Sequence, residues 1–244
     1  FPLVQNSLLT ELKFGLTDKG NVVLTYNWHG LNNRGEGVTP GDRLEVLGGM
    51  LDYAVSDKVK LNGGFGQTTL KNQGTDVIDS DNTAWWAGLD YAGNNFGVNV
   101  GYRRIEQAYL APGGWERLGT WWSPRGIEDF QVGANFDLSN NMKLNLRGIF
   151  GNVIDDVDYS SLKASLEFGF GGGWGGMVGA EQLKFNLSGT DPKQSWLTVG
   201  VRRELGNNGL FKLIYQYADH NFGPAEFVDR GKFSNSTGHI LFGQ

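Results

Sequence analysis

The residues with the most obvious chemistry are an acidic pair, an Asp-His pair and two further histidines. Asp155-Asp156 and Asp219-His220 offer the ingredients of water activation, in which a carboxylate orients a histidine that takes the proton. Neighbours on an extended strand point to opposite faces, so Asp219 and His220 are expected to be separated rather than joined. His29, His220 and His239 have no serine at a distinctive spacing, which argues against a nucleophile and base pair. In "DVIDSDN", Asp76, Asp79, Asp81 and Asn82 gather oxygen ligands that suit Ca²⁺, yet the loop lacks the spacing and closing glutamate of a calcium loop. There is no cysteine for thiolate ligation or a disulfide. The expectation is a chain without catalytic, cofactor-binding or metal site, and not an enzyme.

A second kind of chemistry is spread along the chain. In "FGVNVGYRR" one register holds Phe96, Val98, Val100 and Tyr102, and the other holds Gly97, Asn99, Gly101 and Arg103. The split recurs: Leu12, Phe14 and Leu16 against Glu11 and Lys13, and Phe130, Val132, Ala134, Phe136 and Leu138 against Gln131, Asn135 and Asp137. It recurs again as Leu162, Ala164, Leu166, Phe168 and Phe170 against Lys163, Ser165 and Glu167. A period of two over such lengths specifies strands with one apolar and one polar face. From Leu44 to Val55, apolar residues and glycine occupy both registers.

Tight Asn/Gly/Asp/Ser turns at Asp18 to Asn21, Ser56-Asp57, Gly93 to Asn95, Ser139 to Asn141, Gly171 to Gly173 and Gly206 to Asn208 alternate with long polar connections. The periodic runs exceed the ~5 to 6 residues of sandwich strands and match the ~9 to 11 of transmembrane strands. Lipid strands no free sheet edge, so such a sheet must close. The expectation is an all-β transmembrane antiparallel up-and-down barrel over residues 1–244 as a single domain, with short periplasmic turns and long extracellular loops. Thirteen candidate segments are legible. An odd number cannot close an antiparallel seam, so about fourteen strands (range 12 to 16) are expected, one of them preceding Phe1 or formed by Phe1 to Ser7.

With the apolar register facing lipid, the polar register lines a bore. From the first half come Glu11, Lys13, Arg43, Glu45, Lys60, Asp90, Asn99 and Arg103. Asn135, Asp137, Lys143, Arg147, Lys163, Glu167, Arg202, Lys212 and Gln216 follow in the second. Both signs occur, which predicts weak selectivity for small hydrophilic solutes and ions, or a salt-bridge network that plugs the lumen. The first describes a porin, the second a structural barrel of the envelope. Aromatic girdles are expected at both interfaces: Trp85, Trp86, Trp115, Trp121 and Trp122 by the long connections, and Phe96, Phe136, Phe170, Trp174 and Phe211 by the short turns.

The bulk composition agrees. A net charge of -5 with scattered basic residues leaves no footprint for nucleic acid, and no run reaches the length of a membrane helix. The partners expected are outer-membrane lipid and lipopolysaccharide, small polar solutes, and a homo-oligomer or a cell-wall/S-layer component; the location is the bacterial outer membrane.

"GYRRIEQAYLAPGGWERLGTWWSPRGIEDFQVGANFDLSNNMKL" (Gly101 to Leu144) and "FGPAEFVDRGKFSNSTGHILFGQ" (Phe222 to Gln244) resemble the C-terminal porin-like barrel of outer-membrane proteins that carry an S-layer-homology domain. The resemblance implies a barrel that passes small solutes beside a domain that grips the cell wall; residues 1–244 correspond to the barrel, and the expectation is that such an N-terminal domain is separate from them. Asp155-Asp156 and Asp219-His220 loosely resemble the acidic and Asp/His elements of omptin-type proteases, which place one residue between Asp and His. A barrel hydrolase is the lesser alternative.

Overall fold

A computed structural model describes residues 3–32, 43–72, 75–78, 80–110, 117–118, 121–122, 124–153, 157–186, 192–205, 209–221 and 236–243. For 3–6, 31–32, 72, 75–78, 117, 121–122, 221 and 236–243 it describes the backbone alone. The strands are β1 (Leu3–Leu16), β2 (Gly20–Asn32), β3 (Arg43–Ser56), β4 (Val59–Asn72), β5 (Thr75–Ile78), β6 (Thr83–Ala92), β7 (Phe96–Ile105), β8 (Arg117–Leu118) and β9 (Trp121–Trp122). They continue as β10 (Ile127–Ser139), β11 (Met142–Val153), β12 (Asp158–Gly171), β13 (Trp174–Asn186), β14 (Lys193–Leu205), β15 (Gly209–Asn221) and β16 (Ser236–Gly243).

Hydrogen-bonded neighbours follow chain order, β1-β2-β3-β4-β6-β7-β10-β11-β12-β13-β14-β15-β16, with β5 on β4 and β8 on β9. This is an antiparallel up-and-down all-β sheet, as the alternation of tight turns and long connections requires. Among the described residues twelve strands have ten residues or more, and β16 has eight. The expected count of about fourteen is therefore corrected to twelve long strands, because it included the short C-terminal segment and a strand added only for closure.

The chain forms two compact units. Unit 1 comprises Phe1–Tyr91, Gly101–Glu116 and Ser123–Asp129; unit 2 comprises Ala92–Val100, Arg117–Trp122 and Phe130–Gln244. Registers within each are nearly unbroken; β11 and β12 pair without a slip from Met142↔Phe168 to Asn152↔Asp158. The turn from β12 to β13 depends on glycine: Gly171, Gly172 and Gly173 have φ of 90°, 61° and 77°, which side chains with a Cβ rarely adopt.

Residues directly opposite in a ladder share a face. In unit 1 one face carries Leu12 opposite Leu24, Tyr26 opposite Leu47, and Phe65 opposite Trp85. In unit 2 the corresponding face carries Leu146 opposite Ala164, Ala180 opposite Leu197, and Val199 opposite Tyr215. These apolar faces are open: Leu12 is 55% exposed, Leu162 56% and Leu197 52%. Near the short turns Phe96, Phe170, Trp174 and Phe211 are exposed, with the Arg203 guanidinium 4.9 Å over the Trp174 ring. Trp85 lies on the apolar face with its ring 4.7 Å from Tyr102. Trp86 departs from the girdle, since it pairs with Gly64 on the polar face and lays its ring over that glycine. Trp115 lies outside the described residues, as do the side chains of Trp121 and Trp122.

Candidate pore-lining face

The opposite face of unit 1 is polar in the middle. Asp52 faces Asn62, and Lys60 faces Asp90, so two strands present opposite charges to one another. Asn62 Nδ2 donates to Asp90 Oδ2 at 2.7 Å. Glu11 and Lys13 share this face through Thr25 and Val23. Arg103 is 7% exposed and Asp129 1%, joined by a forked ion pair in which Nε and Nη2 donate to Oδ2 at 2.9 and 2.8 Å. A buried guanidinium needs such satisfaction, because a carboxylate removed from water without donors is strongly unfavourable.

Arg43 and Glu45 do not belong to this face. The unbroken β2–β3 register places Glu45 opposite Trp28 and Arg43 opposite Gly30, on the side of Tyr26 and Leu47. There Arg43 pairs with Glu45 at 3.0 Å and Lys71 approaches Glu45 at 3.5 Å. Both had been expected in the bore. The correction follows from parity: Asp52 is an even position, so Leu44 and Val46, not Arg43 and Glu45, share its face.

At the long-connection end, residues 106–110 fold back over the polar face of unit 1. Glu106 accepts from the Thr83 amide at 2.9 Å and the Thr83 hydroxyl at 2.6 Å, which hold its carboxyl below the usual carboxylate range. The Leu110 amide donates to Thr68 Oγ1 at 3.1 Å, and the Leu110 side chain packs on Leu44, Val46 and Leu70. Asn82 Nδ2 donates to the Thr68 carbonyl at 2.6 Å, which holds this side chain against β4. The Tyr109 hydroxyl lies against Gly66, where a Cβ would come within 2.6 Å of it. Burial pushes the Tyr109 hydroxyl up. In the sequence 105–126 is one of the long polar connections, and its own residues do not say whether it turns inward; apolar Leu44, Val46 and Leu70 in a polar register are the signal of a cover.

In unit 2 the polar face carries the remaining expected residues. Asn99 lies against Gly133, and Asn135 against Gly97. Arg147 Nη2 donates to Gln131 Oε1 at 2.9 Å, Lys163 sits 3.6 Å from Glu181, and Lys143 is 3.8 Å from Asp137 and opposite Glu167. Gln216 Nε2 donates to Thr198 Oγ1 at 3.2 Å, and Arg202 faces Lys212. Near the long connections this face becomes an apolar cluster of Tyr159, Leu183, Phe185 and Trp196, all buried. Gln194, 0% exposed, belongs to the same cluster.

The hydrolytic candidates are not assembled among the described residues. Asp219 pairs with Ser195 and His220 with Gln194, hence on opposite faces, and the His220 ring meets Trp196 edge-on at 5.2 Å. Asp155 and Asp156 lie outside the described residues, as do the side chains of Asp76, Asp79 and His239.

No protein-family model and no curated protein matches this sequence. Solved structures do. An anion-selective porin from Comamonas acidovorans is 10% identical with a TM-score of 0.53, over 89% of this chain and 80% of that one. OmpT (in-vitro folded), an outer membrane protein of Vibrio cholerae in its trimer form, is 10% identical with a TM-score of 0.52, over 97% and 88%. The fold is one seen in outer-membrane proteins. At this identity the likeness extends to the fold alone.

Proposed function

We propose that the chain is a porin of the bacterial outer membrane, with its sheet closed into a barrel that lets small hydrophilic solutes and ions diffuse along the polar face. The observation that carries this reading is the exposed apolar face of both units, with rows such as Leu12–Leu24 and Leu197–Tyr217 turned outward while charged residues occupy the other face. In water so much open apolar surface would aggregate, whereas against acyl chains it is the stable arrangement. The nearest partners in this reading are membrane lipids, and the reading assigns no catalytic role to Asp219 and His220, which are split across a strand.

A structural barrel with a plugged passage is the second reading. The hook at 106–110 and the buried Tyr159, Leu183, Phe185 and Trp196 favour it, since both close over a polar face near the long connections. Conductance of the refolded chain in planar lipid bilayers decides between them. Discrete open steps support the porin; folded, inserted and silent protein supports the plug.

A further inference from the structure

We infer that the polar face of unit 2 holds two stations for small anions, so that the passage prefers chloride, phosphate and short carboxylates to cations; this rests on the porin reading and names its solutes. The first station is Arg147 opposite Lys163 on β11 and β12, and the second is Arg202 opposite Lys212 on β14 and β15. Directly opposed side chains stand ~5 Å apart at Cβ, and like charges there repel.

The two stations differ in how far protein groups relieve that repulsion. At the first, Glu181 reaches Lys163 at 3.6 Å and Gln131 takes a hydrogen bond from Arg147. At the second, no described residue forms an ion pair with Arg202 or Lys212, and the residue flanking Arg202 on β13 is Gly175. A Cβ on Gly175 would come within 2.9 Å of Arg202 Nε, so the bare backbone is what lets the guanidinium lie across that strand. Three acids, Asp137, Glu167 and Glu204, the last of them two residues along the same face from Arg202, line a hollow of about 400 Å³ together with Lys143 and Arg202. Lys143 stands opposite Glu167 and 3.8 Å from Asp137, so of the three acids Glu204 alone shares a strand with Arg202, and none of the three forms an ion pair with Arg202 or Lys212. A small anion between two fixed cations receives charge-assisted hydrogen bonds from both and cancels their repulsion, while leaving the rest of the ladder in place. Rings or rows of one sign are how pores choose the sign of the ion they pass.

The test is the reversal potential of the full chain in planar bilayers under a KCl gradient. The wild type should favour chloride, and Arg202→Glu with Lys212→Glu should shift the chloride-to-potassium permeability ratio by about threefold or more towards potassium. Arg147→Glu with Lys163→Glu should shift it less, because Glu181 and Gln131 already dilute that station. Inorganic phosphate should reduce the wild-type chloride current and reduce the Arg202→Gln/Lys212→Gln current less, with circular dichroism showing equal strand content. Open steps without chloride preference, or a preference that both double substitutions leave intact, would overturn the anion stations and spare the porin. Absence of any open step from inserted wild-type protein would overturn the porin itself.

Discussion

The two units use the same ladder for opposite electrostatic ends. In unit 1, Lys60 faces Asp90 and Arg103 is forked onto buried Asp129, so charges meet their complements. In unit 2, Arg147 faces Lys163 and Arg202 faces Lys212. Complementary pairs across strands add to sheet stability and like pairs subtract from it, by ~0.2 to 1 kcal/mol each. The named charges of the first polar face meet unlike partners, whereas the second face, beside its own unlike pairs such as Lys163 with Glu181, also sets like charges directly opposite one another.

The largest blow to that contrast comes from Arg103→Ala, which leaves the Asp129 carboxylate buried without its cation and should cost ~3 to 5 kcal/mol, read by urea titration of the protein in lipid vesicles. Lys212→Ala should cost nothing measurable in the same titration; a large loss there would mean that the second station is structural. Next, with the apolar faces in lipid as proposed, Leu12→Arg and Leu197→Arg should each cost ~2 to 4 kcal/mol if they lie near the midplane, alike in the two units. Substitution of Asn145 by Arg, on the polar face beside Arg147, should be tolerated.

A subtler difference concerns acid. The Glu106 carboxyl is held low by Thr83, so the hook is stabilised fully above the ordinary glutamate value of ~4.3 and loosens only as the pH falls through its lower folded value. Protection of the Leu110 amide from hydrogen exchange, relative to an unstructured amide at the same pH, should therefore stay high at pH 5 and fall in stronger acid, and Glu106→Gln should remove that dependence. Smallest of all, Lys143→Gln should change stability by under ~1 kcal/mol, because its contact with Asp137 is long and exposed.

How much of this could be read from the chain alone varies with the physics involved. The alternation of Phe96, Val98 and Val100 with Asn99 and Arg103 is local, and it survived into the sheet. So did the turn at Gly171 to Gly173, because glycine at positive φ marks its own position, whereas Gly206 to Asn208 lies outside the described residues. Arg43 and Glu45 were misplaced because Leu44 to Val55 carries apolar residues in both registers, and only pairing with Trp28 and Gly30 fixes which side they take. The facing of Arg202 and Lys212 depends likewise on register between strands, which no single segment encodes. The hook was hidden for another reason: Leu110 meets Leu70 only after β4 and β6 have paired.

The meeting of Asn99 with Gly133, and of Asn135 with Gly97, bears on how the strands find one another. Each large amide occupies room that only its small counterpart leaves free, in two successive and oppositely oriented places. Sliding β7 along β10 by two residues would bring amide onto amide and waste both vacancies. The pair acts as a toothed key, admitting one alignment while the segments are still zipping and rejecting the neighbouring ones before the rest of the chain commits.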